Sequence, residues 1–163
     1  MQSSGKSRTR LGLAFGSGSA RGWSHIGIIR ALADAGITAD IVCGCSIGAL
    51  VGASSVAGNL DRLEDWVTSL SKLDVARFLE PNLSLTGFVS RERFNTFLKE
   101  YVCAENLEIE DLDTRYAAVS TELETGREVW FTRGPLIDAV WASIAVPGLF
   151  PAIRHRGRWL VDG

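Results

Sequence analysis

IVCGCSIGALVGA, residues Ile41–Ala53, joins a short apolar run to a run of small residues through Gly44-Cys45-Ser46-Ile47-Gly48, a G-x-S-x-G pattern. The apolar run reads as a buried strand and the small-residue run as a helix, so Ser46 falls on a sharp strand-to-helix turn. Flanking glycines tolerate the crowding of such a turn, and the bend projects the serine oxygen above the sheet. The helix amino terminus favours a developing alkoxide or oxyanion at the same place. The pattern alone is common by chance; its setting after a strand and before a helix is what gives it weight. Residues Ile41–Gly58 also form 18 residues without a charge, the length at which a membrane span becomes a candidate. Gly44, Gly48, Gly52, Gly58, Ser46, Ser54 and Ser55 interrupt it, and strand, turn and packed helix explain it better.

Outward from this stretch the pattern repeats. Arg10–Phe15 reads as a strand that ends at GSGSARG, Gly16–Gly22. From Gly22 a helix follows with Ile26, Ile29, Leu32 and Ala33 at helical spacing and Gly36 as its carboxyl-terminal cap. ADIVCG is the next strand, and the helix after Ser46 runs to about Ala57. Strand, helix, strand, helix at these spacings predict a parallel sheet with right-handed crossovers.

Farther along, NLDRLEDWVTSLS is amphipathic, with Leu60, Leu63, Trp66, Val67 and Leu70 on one stripe. EPNLSLTGF reads as loop, and Ser90 as the cap of a helix burying Phe94, Phe97, Leu98 and Tyr101. Thr114–Gly134 predicts a hairpin turning at Thr125-Gly126, and Pro135–Val146 a helix that starts on its proline and stops before Pro147. Residues Ala152–Gly163 predict a second strand pair with its turn at Gly157.

Composition bounds the rest. With 163 residues, 46% hydrophobic, the chain has the size of one domain with a core, from residue 10 to 163 behind a polar leader of residues 1–9. The net charge of −2, with both signs interspersed, leaves no footprint for nucleic acid. Lys6, Arg8 and Arg10 form a small basic cluster, few for membrane binding at about 1 kcal/mol each. Three cysteines argue against a disulfide framework and for a reducing compartment, hence the cytoplasm. Cys43 and Cys45 share a strand face without a further ligand nearby and read as small buried residues rather than a metal site. The five-residue apolar run after the leader is too short for a signal peptide.

A serine hydroxyl is a weak nucleophile and needs a base and an anion-stabilising site. Small residues at Gly16–Gly22, straight after the first strand, expose backbone N–H groups able to hold an oxyanion. A nucleotide loop is the competing reading, but Arg21 stands where G-x-G-x-x-G needs its last glycine and no P-loop Lys-Ser/Thr pair follows. For the base, His25 near the start of the first helix reads as a packing or capping residue. His155 lies between arginines that favour its neutral form. Asp162 ends an apolar strand and precedes a glycine, where α/β folds present catalytic groups, although a lone aspartate there is usually a turn former.

From Leu11 to Gly163 the chain resembles the bacterial patatin-like phospholipases, serine acyl hydrolases with a Ser-Asp dyad. The resemblance rests on GSGSARGWSHIGIIRAL, GCSIGALVGA, STELETGREVWF, ASIAVPGLFPAI and WLVDG in that order. It implies a three-layer α/β/α fold with a mainly parallel central sheet. It also implies Ser46 as nucleophile, Asp162 as base, and the backbone of Gly16, Ser17, Gly18 and Ser19 as oxyanion hole, supported by Arg21, Gly44 and Gly48. No metal or cofactor is implied; the expected partner is a lipid acyl ester, with peripheral membrane contact and an open oligomeric state. Ser17 and Ser19 stand where the family usually has glycine, and Cys45 and Ile47 where it has smaller or hydroxyl residues. The family continues past its aspartate, so the expectation is a domain lacking the family's carboxyl-terminal portion. Two rivals remain: a Ser-His-Asp esterase using His155, and a truncated, non-catalytic lipid-binding or regulatory relative.

Overall fold

A computed structural model describes residues 9–71 and 91–163. Lys6, Arg8, the loop at 80–88 and the Ser90 cap lie outside them. The first half alternates as the spacing predicts: β1 (Gly12–Phe15), a 3-10 turn (Ser19–Trp23), α1 (Ser24–Asp34), β2 (Ile41–Cys45), α2 (Ile47–Val56) and α3 (Leu60–Ser69). Then come α4 (Arg91–Tyr101), β3 (Arg115–Glu122), β4 (Glu128–Phe131), α5 (Leu136–Ser143), β5 (Ile153–His155) and β6 (Arg158–Asp162).

Turn chemistry sets several of these boundaries. Gly36, at φ 71°, closes α1: its N–H donates to the Ala33 carbonyl at 2.9 Å, and the Ile37 N–H to Leu32 at 2.8 Å. That is the Schellman arrangement, and it needs a residue tolerant of positive φ. Gly126 and Gly157 turn the two predicted hairpins, at φ 68° and 81°. Three boundaries differ from the sequence reading. The chain after β1 makes a 3-10 turn before α1 begins at Ser24, and Pro135 caps α5 rather than occupying its first turn. α5 also ends at Ser143, short of Pro147, because the residue before a proline is driven out of the helical region and the chain must already be leaving the helix.

The uncharged stretch Ile41–Gly58 divides into β2 and α2. Among the described residues no helix is long and apolar enough to cross a membrane. Every residue of α2 from Ile47 to Ser54 is buried. It packs on β1, β2 and β3 and against α1, α3 and α5, so it has no solvent face to carry a polar stripe. Each such fully buried large aliphatic side chain, Leu50 and Val51 among them, stabilises the fold by about 1.5–3 kcal/mol relative to exposure. Tyr116, from β3, buries its ring here and donates its hydroxyl to the Ala49 carbonyl at 2.7 Å.

The sheet is mixed, with β1, β2 and β3 parallel, β1 at one edge, and helices flanking them, which is the expected α/β architecture. β4, β5 and β6 join antiparallel. One detail of register builds the site. β2 runs beside β3 as far as Cys45 opposite Val119, while β4 occupies the other edge of β3 from Ala118 to Thr121. β6 pairs with Ser120 through Asp162, so it takes the edge that β2 has just left. The residue after Cys45 and the residue opposite Ser120 therefore meet.

Candidate active site

That meeting is a hydrogen bond: the Ser46 hydroxyl donates to Asp162 Oδ2 at 2.6 Å, across 116 residues of sequence. The length is that of a charge-assisted O–H···O⁻ bond. Ser46 is 7% exposed and sits at φ 56°, ψ −125°, a conformation costing a non-glycine residue about 1–3 kcal/mol. Such strain persists only when neighbours over-determine it. The Ser46 carbonyl accepts from the N–H groups of Ala49 and Leu50, at 2.9 and 3.2 Å, starting α2. Its own N–H donates to Ser143 Oγ at 2.9 Å, and the Ser143 hydroxyl donates to the Val119 carbonyl at 2.5 Å.

Glycines admit the backbone crowding around this turn. A Cβ on Gly44 would lie 2.4 Å from the Ala49 nitrogen, and one on Gly48 2.3 Å from the Phe15 carbonyl oxygen. Gly22 leaves the room that the β-branched Ile47 occupies, since a Cβ there would fall 2.0 Å from Ile47 Cγ2. At Gly163 a Cβ would meet the Val119 carbonyl oxygen at 2.4 Å, which accounts for glycine after Asp162. The Asp162 N–H donates to Ala145 at 3.0 Å, holding the end of β6 against the segment that leaves α5. Burial pushes the Asp162 carboxyl above the ordinary aspartate value of 3.8, and the Ser46 hydrogen bond offsets part of that rise.

Ser46 and Asp162 lie at a cavity of about 290 Å³ whose walls are chiefly apolar, among them Trp23, Trp66, Ile144, Leu149 and Phe150. The two indoles pack edge to face at 5.9 Å. Ser17 and Ser19 line the same cavity, and Ser19 takes φ 49°, the left-handed conformation that glycine would adopt more cheaply. The loop presses on the start of α2, a Cβ on Gly48 also lying 2.6 Å from the Gly16 carbonyl oxygen. Arg21 closes the loop through its backbone N–H, which donates to Gly18 at 3.0 Å; its side chain is exposed and does not line the cavity. Ser17 Oγ lies 3.1 Å from Cys45 Sγ, and Cys43 and Cys45 are half-buried rather than fully so.

Neither histidine joins the pair. His25 braces the loop, with Nε2 donating to the Gly16 carbonyl at 3.0 Å and its ring 5.0 Å from Phe15. His155 packs edge-on to Phe131 at 4.8 Å and lines a different depression. The residue that sequence reasoning passed over is Ser143. Its one signal is a serine near the end of the apolar run AVWASIAV, and it is fully buried there. Ser143→Ala leaves the Ser46 N–H and the Val119 carbonyl without their shared partner. Buried unsatisfied groups cost about 1–3 kcal/mol each, so a loss of about 2 kcal/mol or more is expected, read as a lower urea midpoint at unchanged m-value.

A family model described as patatin-like phospholipase matches residues 13–163. An uncharacterized NTE family protein of Mycobacterium tuberculosis is 42% identical over 159 residues, covering 98% of this chain and 44% of that protein. Lysophospholipase NTE1 of Yarrowia lipolytica is 32% identical over 161 residues, covering 94% of this chain and 11% of its own length. The chain thus spans less than half the length of these curated relatives. The crystal structure of VipD from Legionella pneumophila superposes with a TM-score of 0.59 at 18% identity, over 94% of this chain and 46% of that one, a likeness of fold.

Proposed function

The chain belongs to the patatin-like phospholipase family, and from that premise we propose that it hydrolyses phospholipid or lysophospholipid acyl esters through an acyl-enzyme on Ser46. The observation that carries the reading is the 2.6 Å hydrogen bond from the Ser46 hydroxyl to Asp162, made on a strained turn at an apolar cavity. The name of the Yarrowia relative, a lysophospholipase, supports the substrate class.

In the proposed cycle Asp162 takes the Ser46 proton as Oγ attacks the ester carbonyl carbon. Negative charge then gathers on the former carbonyl oxygen. Backbone N–H groups of the Gly16–Ser19 loop and the amino terminus of α2 are the donors assigned to it here, since Ser17, Ser19 and Ile47 line the same cavity as Ser46. Such donors are worth about 2.7–4 kcal/mol each in the transition state. Collapse breaks the ester C–O bond, and Asp162 returns the proton to the departing alcohol. Water, deprotonated by Asp162, attacks the acyl carbon next; the acyl–Oγ bond breaks, Asp162 returns the proton to Ser46, and the fatty acid leaves. The walls at Trp23, Trp66, Leu149 and Phe150 suit an acyl chain, which gains about 0.8 kcal/mol per buried CH₂.

Arg21 supports the loop through its backbone in this scheme, and Gly44 and Gly48 by admitting the turn. His155 has no place in it, because it lines another depression.

Intact-mass labelling with a fluorophosphonate tests the proposal. One adduct per chain is expected, absent in Ser46→Ala together with ester hydrolysis. Equal labelling of both proteins, or none of the unsubstituted chain, overturns it; the second result is what a non-catalytic relative predicts.

A further inference from the structure

The arginine-rich turn IRHRGR, Ile153–Arg158, plays no part in the dyad, yet three of its residues line a depression. Arg156 and Gly157 form the two-residue link of the β5–β6 hairpin, both at positive φ, 47° and 81°. A link of this type is served at least steric cost by Asn-Gly, Asp-Gly or Gly-Gly. Arginine there places a guanidinium at a position where a small residue is cheaper, and backbone strain of this kind gathers at functional sites.

The turn does not stand alone. Arg156, Arg158 and His155 line a depression of about 180 Å³ together with Arg133 and Trp130, which follow from the other hairpin. Three arginines thus line one concavity from two segments more than twenty residues apart, in a chain whose net charge is −2. Trp130, 51% exposed, offers the depression an aromatic face. The carboxylates nearby only partly balance these charges. Glu122 stands 3.9 Å from Arg158 Nε, Asp138 faces His155, and Glu110 feels Arg133. None of the three lines the depression. Arg154 is turned elsewhere, over the Trp159 ring at 5.9 Å. His155 reports the local field: burial holds its pKa down first, then Arg156 and Arg158, against the pull of Asp138.

We infer that Arg133, Arg156 and Arg158 form a binding site for a phosphate-class oxyanion, separate from the Ser46 cavity. Guanidinium forks match the geometry of phosphate oxygens, and a neutral His155 supplies a further donor from its ring N–H. Phosphate borne on a lipid headgroup and free phosphate share this chemistry, so the test has an arm for each. The inference is independent of the dyad.

Binding is read by tryptophan fluorescence with inorganic phosphate, and by co-sedimentation with vesicles of phosphatidylcholine alone or with added phosphatidic acid. Saturable quenching by phosphate, lost in Trp130→Phe, assigns the free ion; capture by the phosphatidic acid vesicles only, competed by phosphate, assigns the headgroup. Arg156→Asn makes the link an Asn-Gly pair, so its melting temperature is expected to stay level or rise, while affinity falls about fivefold. Adding Arg158→Gln is expected to lower affinity about 25-fold in all. Hydrolysis of a small uncharged ester stays unchanged in both variants. If neither probe binds, or if the double variant binds as tightly as the unsubstituted chain, the site is overturned; the second outcome moves anion binding to charges elsewhere.

Discussion

Asp162→Asn is expected to slow acylation of Ser46 by about 10²–10⁴-fold, the range over which a positioned general base acts. Asparagine keeps the shape and can still accept the Ser46 hydrogen bond through its carbonyl oxygen, but it cannot take the proton away. A second readout separates lost chemistry from lost structure. The Asp162 carboxyl is raised above its ordinary value chiefly by burial, so its pKa in the folded chain lies above that in the unfolded chain. The favourable contribution of such a group is present at low pH and is lost as pH rises through the folded pKa. At neutral pH its buried charge therefore opposes folding, and Asp162→Asn is expected to melt no lower than the unsubstituted chain. The same shift sets the pH profile. Only the ionised carboxylate accepts the proton, so kcat/KM falls toward acid with an inflection above 3.8, and the variant's residual rate lacks that limb. His155→Ala retains activity within a few-fold. An inactive Asp162→Asn that also unfolds would point to structure instead, as would an active one to a different base.

How far the residues announced this site follows from the range of the interaction involved. Ser46 was legible because its signals are adjacent: glycines at 44 and 48, a strand before, a helix after. The caps at Gly36 and the turns at Gly126 and Gly157 were legible for the same reason, each being a local demand for positive φ. Asp162 showed only as the end of an apolar strand before a glycine, a signal that ordinary turn formers share. What brings it to Ser46 is the exchange of one β3 edge from β2 to β6, a pairing that no local pattern encodes. The resemblance to a family supplied it instead. Ser143 escaped because its partners, not its spacing, distinguish it from other serines: it joins a carbonyl inside β3 to an N–H just past the end of β2. α2 shows a third limit. Periodicity separates a wet face from a dry one, and a helix buried all round from Ile47 to Ser54 has none to separate.

Gly48→Ala is expected to weaken the fold and impair the site, although the same change elsewhere in the chain strengthens a helix. Alanine in place of glycine within a helix is favourable by about 0.8–1 kcal/mol. Gly27, in α1, has nothing within 4 Å of an added Cβ, so Gly27→Ala is expected to stabilise by nearly that amount. At Gly48 the added carbon meets the Phe15 and Gly16 carbonyl oxygens at 2.3 and 2.6 Å, both backbone atoms that no rotamer change can move aside. Relief requires α2 to withdraw from the end of β1, against the packing of a helix buried on every side. Overpacking costs about 1–3 kcal/mol or somewhat more, which outweighs the helical gain and leaves a net loss of about 2 kcal/mol. The withdrawal also separates Ser46, at the start of α2, from the Gly16–Ser19 loop. Fluorophosphonate labelling is therefore expected to fall in the fraction of Gly48→Ala that remains folded, at a urea concentration where Gly27→Ala labels fully. Equal stability and equal labelling of the two variants would mean that the helix and the loop do not need the contact that glycine permits.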